Sequence, residues 1–301
     1  AGGFGGADAV GEFEVVERTG TQVREVASRA MALAKQGLKK DAVEAFCAAQ
    51  RLGEAAGDPE TVAASLEHLG SLARGRGDLR GSERLLTEAL ERYRTQGLDR
   101  LVPDALKELS GTLIHLQNLP EAERCAQEAA QAYRALGNVQ GEAECQNNLG
   151  EIYRMRGDLH QARDAYRAAF DSMQAEGFQA TPIPLANMGL TLTGLGQYAD
   201  AHTTLLQALA VADAAGRDDI RCCVHLFLLP SLAALGDWPG FRTHFDAGDD
   251  LFFRKKVKDP DIAVCARLAA ELARQAGALE QAEDALQLAR DVDALLDGGS
   301  A

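Results

Sequence analysis

The 301-residue sequence predicts an all-α chain built as a long array of helix–turn–helix repeats. Three observations carry that expectation. The first is composition: 54 residues are alanine, against ten Phe, five Tyr and one Trp. Alanine has the best helix propensity and lets backbones approach closely, whereas a large β-domain would need more Val, Ile, Thr and aromatic residues. The second is a glycine ladder. Gly57, Gly97, Gly137, Gly177 and Gly216 recur at spacings of 40, 40, 40 and 39, each just past a helix-like run. Glycine there supplies the left-handed residue that closes a last turn. The third is an independent series twenty residues earlier: Gly37, Gly77, Gly157, Gly196, Gly236 and Gly277, with Gln117 in the missing register. Five residues after each come Ala42, Ser82, Ala122, Ala162, Ala201, Phe241 and Ala282, small in every case but one. Two ladders with one period define a repeat protein.

Each unit reads as helix A, a short Gly turn, helix B, a Gly cap and a loop. Seven units give fourteen helices between about Thr21 and Leu296. Pro59, Pro103, Pro182 and Pro260 fall in connections or at the start of an A helix, where a missing N–H costs little. Pro120 and Pro239 open B helices in the same way. In repeat four, helix A is expected over about Glu142–Arg156 and helix B over about Leu159–Glu176. Leu149, Ile152 and Tyr153, then Ala162, Tyr166, Ala169 and Phe170, recur there at helical spacing. Repeat six is expected to be irregular. Pro230 lies inside its A helix and predicts a kink. Its B helix carries Phe241 at the small position, Gly248 in the middle and Lys256 where a Gly cap belongs, which predicts a broken or displaced helix over 241–258. Residues 1–20 read as a flexible Gly-rich leader or linker with a short extended piece at Phe13–Val16. Residues 21–297 form the solenoid and 298–301 a tail. The sequence opens on Ala1 rather than Met, which fits a processed product or a piece of a longer chain.

The charge balance is 31 Lys plus Arg against 45 Asp plus Glu, a net −14. Such a surface repels phosphate backbones and anionic lipid, so nucleic acid and membrane surfaces are not expected partners. The local exception, Arg254-Lys255-Lys256-Val257-Lys258, reads as a solvated loop. No run reaches the ~18 apolar residues a membrane span requires, and no basic n-region followed by an apolar h-region and a small-residue cleavage site opens the sequence, so a retained signal peptide is not expected. Six scattered cysteines (Cys47, Cys125, Cys145, Cys222, Cys223, Cys265) without CxxC spacing read as small buried hydrophobes in a reducing cytoplasm.

Signatures of catalysis are missing: no phosphate-binding GxxxxGK[ST] loop, HExxH pair or GxSxG elbow occurs. Asp249-Asp250 resembles half of the aspartate-rich magnesium motif of terpene synthases, but the partner motif is lacking and the aromatic content is poor for a carbocation cavity. Cys222, Cys223 and His225, with His244, could ligate a metal; on a helix they read better as packing residues. The expectation is a chain that is not an enzyme and holds no metal or cofactor.

The residues carry a family resemblance. Leu149-Gly150, Tyr153, Gly157, Ala162, Tyr166 and Ala169 look like the tetratricopeptide consensus. Repeat two follows through Leu69-Gly70, Gly77, Leu86 and Ala89-Leu90, and repeat five through Met188-Gly189, Gly196, Ala201, Ala208 and Leu209. Repeat one departs, with Arg29-Ala30 in place of Leu-Gly. The 40-residue unit is similar to the longer repeats of LGN/Pins proteins, kinesin light chains and Rap/PlcR-type regulators. Leu232–Trp238 resembles tetratricopeptide tails of bacterial Ser/Thr kinases and signalling ATPases.

The resemblance implies a right-handed α-α superhelix whose A helices line a concave groove. Counting from the small helix-B residue places Asn147, Asn148, Glu151 and Arg154 of repeat four and Asn187 of repeat five on groove rows. Lys107, Glu108, His115 and His68 fall on equivalent rows of repeats two and three. An asparagine offers both a donor and an acceptor, so Asn148 and Asn187 could clamp a peptide backbone without reading its sequence. The alternative is that each simply bridges neighbouring helices. Lys107, Glu151 and Arg154 would add charge selection. Phe227 and Pro230 end any ladder at repeat six, where the groove turns apolar or closes. The expected function is a module binding a partner's peptide or helix, such as a bacterial signalling adaptor. The alternatives are the regulatory region of a multidomain kinase or signalling ATPase, and a homo-oligomeric scaffold.

Overall fold

The computed structural model describes residues 7–177 and 181–298, with side chains from Thr21 onward. Every regular element among them is helical. The chain divides into two compact units, Ala1–Asn148 and Leu149–Ala301, with the division falling inside α7.

Unit 1 contains α1 (Ala7–Lys35), α2 (Lys39–Ala56), α3 (Pro59–Arg74), α4 (Leu79–Thr95), α5 (Val102–His115), α6 (Leu119–Ala135) and the start of α7 (Val139–Arg156). Local chemistry explains the boundaries. Asp58 accepts from the Thr61 N–H at 3.1 Å and Pro59 opens α3, so one orphan donor is capped and another removed. Asp78 caps α4 through the Gly81 N–H at 2.9 Å. The A-to-B turns are closed by residues at positive φ, including Gly77 at +84°. Gln117 takes +61° in the same register, as its place in the ladder requires. Along α3, Val62, Leu66, Leu69 and Ala73 are buried at three- and four-residue spacing, a core-facing stripe. Opposite them, α4 buries Leu86, Ala89, Leu90 and Tyr93. Full burial of each Leu contributes about 1.5–3 kcal/mol.

The Leu-Gly pairs mark where helices A and B touch. A Cβ on Gly70 would stand 2.6 Å from Leu86, so the glycine is what lets α3 approach α4. The backbone of α1 is helical from Ala7, which corrects the expected extended piece at Phe13–Val16. Gly11 and Gly20 interrupt a stretch without proline, and Ala, Glu and Arg around them tolerate a helix. The first six residues and the last three, parts of the expected leader and tail, lie outside the described residues.

Unit 2 continues with α8 (Leu159–Ala175), α9 (Pro182–Gly194), α10 (Tyr198–Ala214), α11 (Asp218–Phe227), α12 (Leu229–Leu235), α13 (Trp238–Lys255), α14 (Pro260–Gln275) and α15 (Leu279–Asp297). Here the glycine contacts recur: a Cβ on Gly150 would meet Tyr166 at 2.6 Å, and one on Gly189 would meet Leu205 at 2.5 Å. The A helix of repeat six is divided into α11 and α12 beside Pro230, as predicted. With these two as one bent helix, the described residues form fourteen helices in consecutive pairs, a helical-repeat solenoid.

The B helix of repeat six overturns the expectation of a break over 241–258. Helix α13 runs without interruption from Trp238 to Lys255. Gly248 is not a weak point but a contact point, because a Cβ there would lie 2.5 Å from Leu226. Phe241 is fully buried and stacks in parallel on Phe245, with ring centroids 6.2 Å apart. Lys256 adopts the left-handed conformation itself, at φ 53°, ψ 50°, and its N–H bonds the Phe252 carbonyl. A lysine thus closes the helix where other repeats use glycine.

Candidate functional site

In unit 1 the A-helix face carries a connected polar strip. Glu108 on α5 accepts from Ser71 Oγ at 2.6 Å and pairs with Arg74 at 2.7 Å, both on α3. Burial works against the Glu108 charge, but Arg74 and Lys107 outweigh it and hold the carboxyl below its usual range. Lys107 turns the other way: its Nζ lies 2.6 Å from Glu144 on α7 and 3.6 Å from Glu108. Burial again opposes the charge, and the two glutamates override it and raise the lysine's pKa. Asn148 Nδ2 donates to the Lys107 carbonyl oxygen at 3.3 Å. That is the bridge between neighbouring helices, and it leaves Asn148 Oδ1 without a hydrogen-bond partner among the described residues. Asn147 Oδ1 is buried with no hydrogen-bond partner among the described residues.

Behind this strip lie two carboxylates that groove-row reasoning did not single out. Tyr93 donates to Glu67 at 2.9 Å, and Tyr133 donates to Asp104 at 2.5 Å. Glu67 is only 9% exposed, and burial, helped by Asp104 and Glu108, pushes its pKa up to about 7 against the Tyr93 hydrogen bond. A signal was present: Tyr93 and Tyr133 are one repeat apart, and they follow their acids by 26 and 29 residues. His68 packs its ring 4.8 Å from Phe46, as a core neighbour does. His115 is exposed at the end of α5.

In unit 2, Arg154 is enclosed by carboxylates. Its Nε and Nη2 reach Glu151 at 3.2 and 2.6 Å, and its Nη1 and Nη2 reach Asp261 on α14, each at 3.1 Å. Tyr166 donates to Glu151 at 3.0 Å. Burial opposes the Arg154 charge, and Glu151 and Asp261 hold it on. Asn187 on α9 is half-buried; its backbone carbonyl accepts from Thr191, and its side chain makes no hydrogen bond among the described residues.

The charged groove-row residues are therefore already neutralised within their units, whereas the amides retain hydrogen-bonding capacity. Sequence spacing placed Lys107, Glu151 and Arg154 on the face but could not show that each is tied up.

The metal candidates do not converge. Cys222 donates to the Gly248 carbonyl and Cys223 to Asp259, each at 3.5 Å, while His225 and His244 meet through their Nδ1 atoms at 2.8 Å. Burial pushes the Cys222 thiol up to about 12, far from an available thiolate. Among the described residues no group of three or more His, Cys, Asp or Glu is placed to hold a metal ion. Asp250 pairs with Arg254 and Lys255 with Asp218, so the acidic doublet and the basic run answer one another and their neighbours. No described helix is long and apolar enough to cross a membrane.

Models of the tetratricopeptide repeat match residues 62–95 and 101–175. No curated protein matches the sequence. Among solved structures, the chain is similar to a Rap protein in complex with Competence and Sporulation Factor, at 18% identity over 91% of this chain and 75% of that one, with a TM-score of 0.69. It is similar to aspartyl phosphate phosphatase F from Bacillus subtilis, at 14% identity over 97% and 76% of the two chains and a TM-score of 0.70. It is also similar to a signal transduction ATPase with a tetratricopeptide repeat sensor from Pyrococcus horikoshii, at 13% identity over 95% and 44% and a TM-score of 0.66. At these identities the likeness speaks for the fold. The two matched segments, the glycine ladders on either side of them and the helix pairs they close agree: the chain is a tetratricopeptide-repeat protein, one of a family of protein-binding modules.

Proposed function

We propose that this chain is a non-catalytic binding module of a bacterial signalling system, taking an extended peptide or helix of a partner protein on its A-helix face. One observation carries the reading. Among the groove-row residues the ions are paired within the chain, while Asn148 in unit 1 and Asn187 in unit 2 each keep amide groups without partners among the described residues. An amide that offers both a donor and an acceptor matches a peptide bond, so recognition by backbone suits this face better than capture by charge. The Rap likeness supports the reading, since that protein was solved in complex with Competence and Sporulation Factor. A cytoplasmic setting accords with six free cysteines, five of them buried.

The test is a photo-crosslinking amino acid placed at Asn187 and, as control, at Arg84 on the exposed face of α4. The reading expects a partner polypeptide crosslinked at 187 and not at 84. Equal crosslinking at both positions contradicts it.

A second reading makes the chain the sensor region of a signalling ATPase. It rests on the similarity to the Pyrococcus horikoshii protein, of which this chain spans 44%. A catalytic domain in the same reading frame would support it. A homo-oligomeric scaffold would instead show a mass by light scattering that rises with concentration.

A further inference from the structure

Three of the chain's six histidines stand on neighbouring helices of unit 2: His202 on α10, His225 on α11 and His244 on α13. All three are half-buried. His225 and His244 meet at the crossing of α11 and α13, where their Nδ1 atoms lie 2.8 Å apart. The crossing is tight: a Cβ on Gly248 would stand 2.5 Å from Leu226 and 3.2 Å from the His225 Cβ. Just beyond it, beside Pro230, α11 gives way to α12.

A bond between two Nδ1 atoms needs the rings in different tautomers. One carries its hydrogen on Nδ1 and donates; the other carries it on Nε2 and accepts. A first proton settles on the free Nε2 of the donor ring and keeps the bond. A second has only the accepting Nδ1 to take, so it replaces the bond with two cations facing each other.

Among the described residues no free carboxylate faces either ring. Toward His225 the charged groups are Arg221 on its own helix and Asp213 at the end of α10, and these pair with each other. Toward His244 they are His202 and Asp237, and Asp237 is engaged in capping the Gly240 N–H at 3.0 Å. Helices α9 and α12 hold no ionisable residue. At the start of α14, Asp259, Asp261 and Cys265 lie around Cys223 and Arg154 instead, and Arg267, Glu271 and Arg274 are exposed. On α15, Arg242 takes up Glu280 and Asp284. Burial first, and then a neighbouring histidine, hold both imidazoles below their ordinary range, His225 down to about 4.

Two other polar ties join α11 to α13, and neither contains a histidine. Cys222 donates to the Gly248 carbonyl, and Lys255 holds Asp218 at 2.9 Å. Lys255 and Arg221 keep the Asp218 carboxyl below its usual range, so the pair at that end of the crossing stays charged in mild acid. We propose that the His225–His244 pair is an acid-operated clasp on repeat six: double protonation parts α13 from α11 at the histidine end, while Asp218–Lys255 holds the other end as a pivot. Opening uncovers apolar surface around Leu226 and Phe241, both fully buried when the clasp is shut.

Trp238, the sole tryptophan, opens α13 with its ring 6.1 Å from Phe241, so its emission reports the clasp in the whole chain. Because the folded pKa values lie below the unfolded one, the clasp's contribution is complete above about pH 6.5 and is lost as pH falls toward about 4. Wild type is expected to show a reversible red shift of Trp238 emission in that window, with helicity by circular dichroism retained. His244→Asn keeps an amide that can bond His225 Nδ1 but cannot become a cation, and should lower the midpoint by about one pH unit or more. His160→Asn, at an exposed histidine on α8, should titrate like wild type. If His244→Asn is already red-shifted at pH 8, His225→Asn carries the same measurement. Emission shifted at pH 8 in both would give the pair a packing role alone and overturn the clasp. So would a midpoint equal to that of wild type in the Asn variants, or no red shift in wild type before helicity is lost.

Discussion

Asn148 on α7 donates its amide to the backbone carbonyl of Lys107 on α5, 3.3 Å away, so an A helix grips the main chain of the A helix one repeat earlier. This is the interaction that a docked peptide would receive from the same side chain, made once inside the protein with a single donor. Here a half-buried asparagine of this row bonds a backbone carbonyl, and the oxygen of the same amide has no hydrogen-bond partner among the described residues.

Asn148→Ala removes one neutral hydrogen bond and is expected to cost about 1 kcal/mol of stability. Asn187→Ala removes none and should stay within about 0.5 kcal/mol of wild type. Urea unfolding followed by circular dichroism checks both. A loss of helicity in either variant would mean that the amide holds helices together rather than a ligand.

Gly150→Ala should destabilise the chain although alanine is the better helix former. The added methyl would meet the ring of fully buried Tyr166 at 2.6 Å, and overpacking of this kind costs about 1–3 kcal/mol. Gly53→Ala, whose methyl would lie 3.0 Å from the end of Val62, should be closer to neutral. Comparing the two melting temperatures tests whether the Leu-Gly pair sets the approach of helices A and B.

Lys256→Gly should raise stability. Lysine at φ 53° occupies a conformation that costs a side chain about 1–2 kcal/mol, part of which glycine returns by its greater freedom when unfolded. A net gain of about 0.5–1 kcal/mol is expected by thermal unfolding. Gln117→Gly should behave alike, since φ is 61° there.

Much of this fold is legible in the sequence because glycine at a helix end and a small residue at a helix crossing are local requirements that repeat every forty residues. Gln117, in the turn ladder, and Lys256, in the helix-B cap ladder, keep the left-handed conformation of their series without being glycine. In repeat six, helix propensity marks Gly248 as a weakness, whereas its lack of a side chain accommodates Leu226; only the three-dimensional neighbour distinguishes these. For the site, row counting found Lys107, Asn148 and Arg154 but not what they touch. Glu144 lies one repeat from Lys107 and could have been sought there. Asp261 lies three repeats from Arg154, at a distance set by how unit 2 folds, and no spacing in the sequence announces it.

Glu67 gives the chain a pH dependence with a definite sign. Its carboxyl is raised from an ordinary 4.5 to about 7, first by burial, so the folded state binds the proton more tightly than the unfolded state does. That contribution to stability is complete below about pH 4.5 and is lost as pH rises through about 7. Glu67→Gln keeps a neutral group beside Tyr93 and should be more stable than wild type at pH 8, with the difference shrinking toward pH 5. Urea midpoints of both proteins at the two pH values check this. The comparison cancels the opposing effect of His68, whose pKa burial lowers.

The most direct measurement of the central claim is affinity capture from lysate of the source cell, with mass spectrometry of what is retained. Three baits are compared: wild type, Asn148→Ala/Asn187→Ala, and Arg84→Ala/Thr87→Ala on the exposed face of α4. The account predicts a polypeptide held by wild type and by the α4 variant and lost by the asparagine variant. Identical captures by all three would contradict it and move recognition away from the A-helix face.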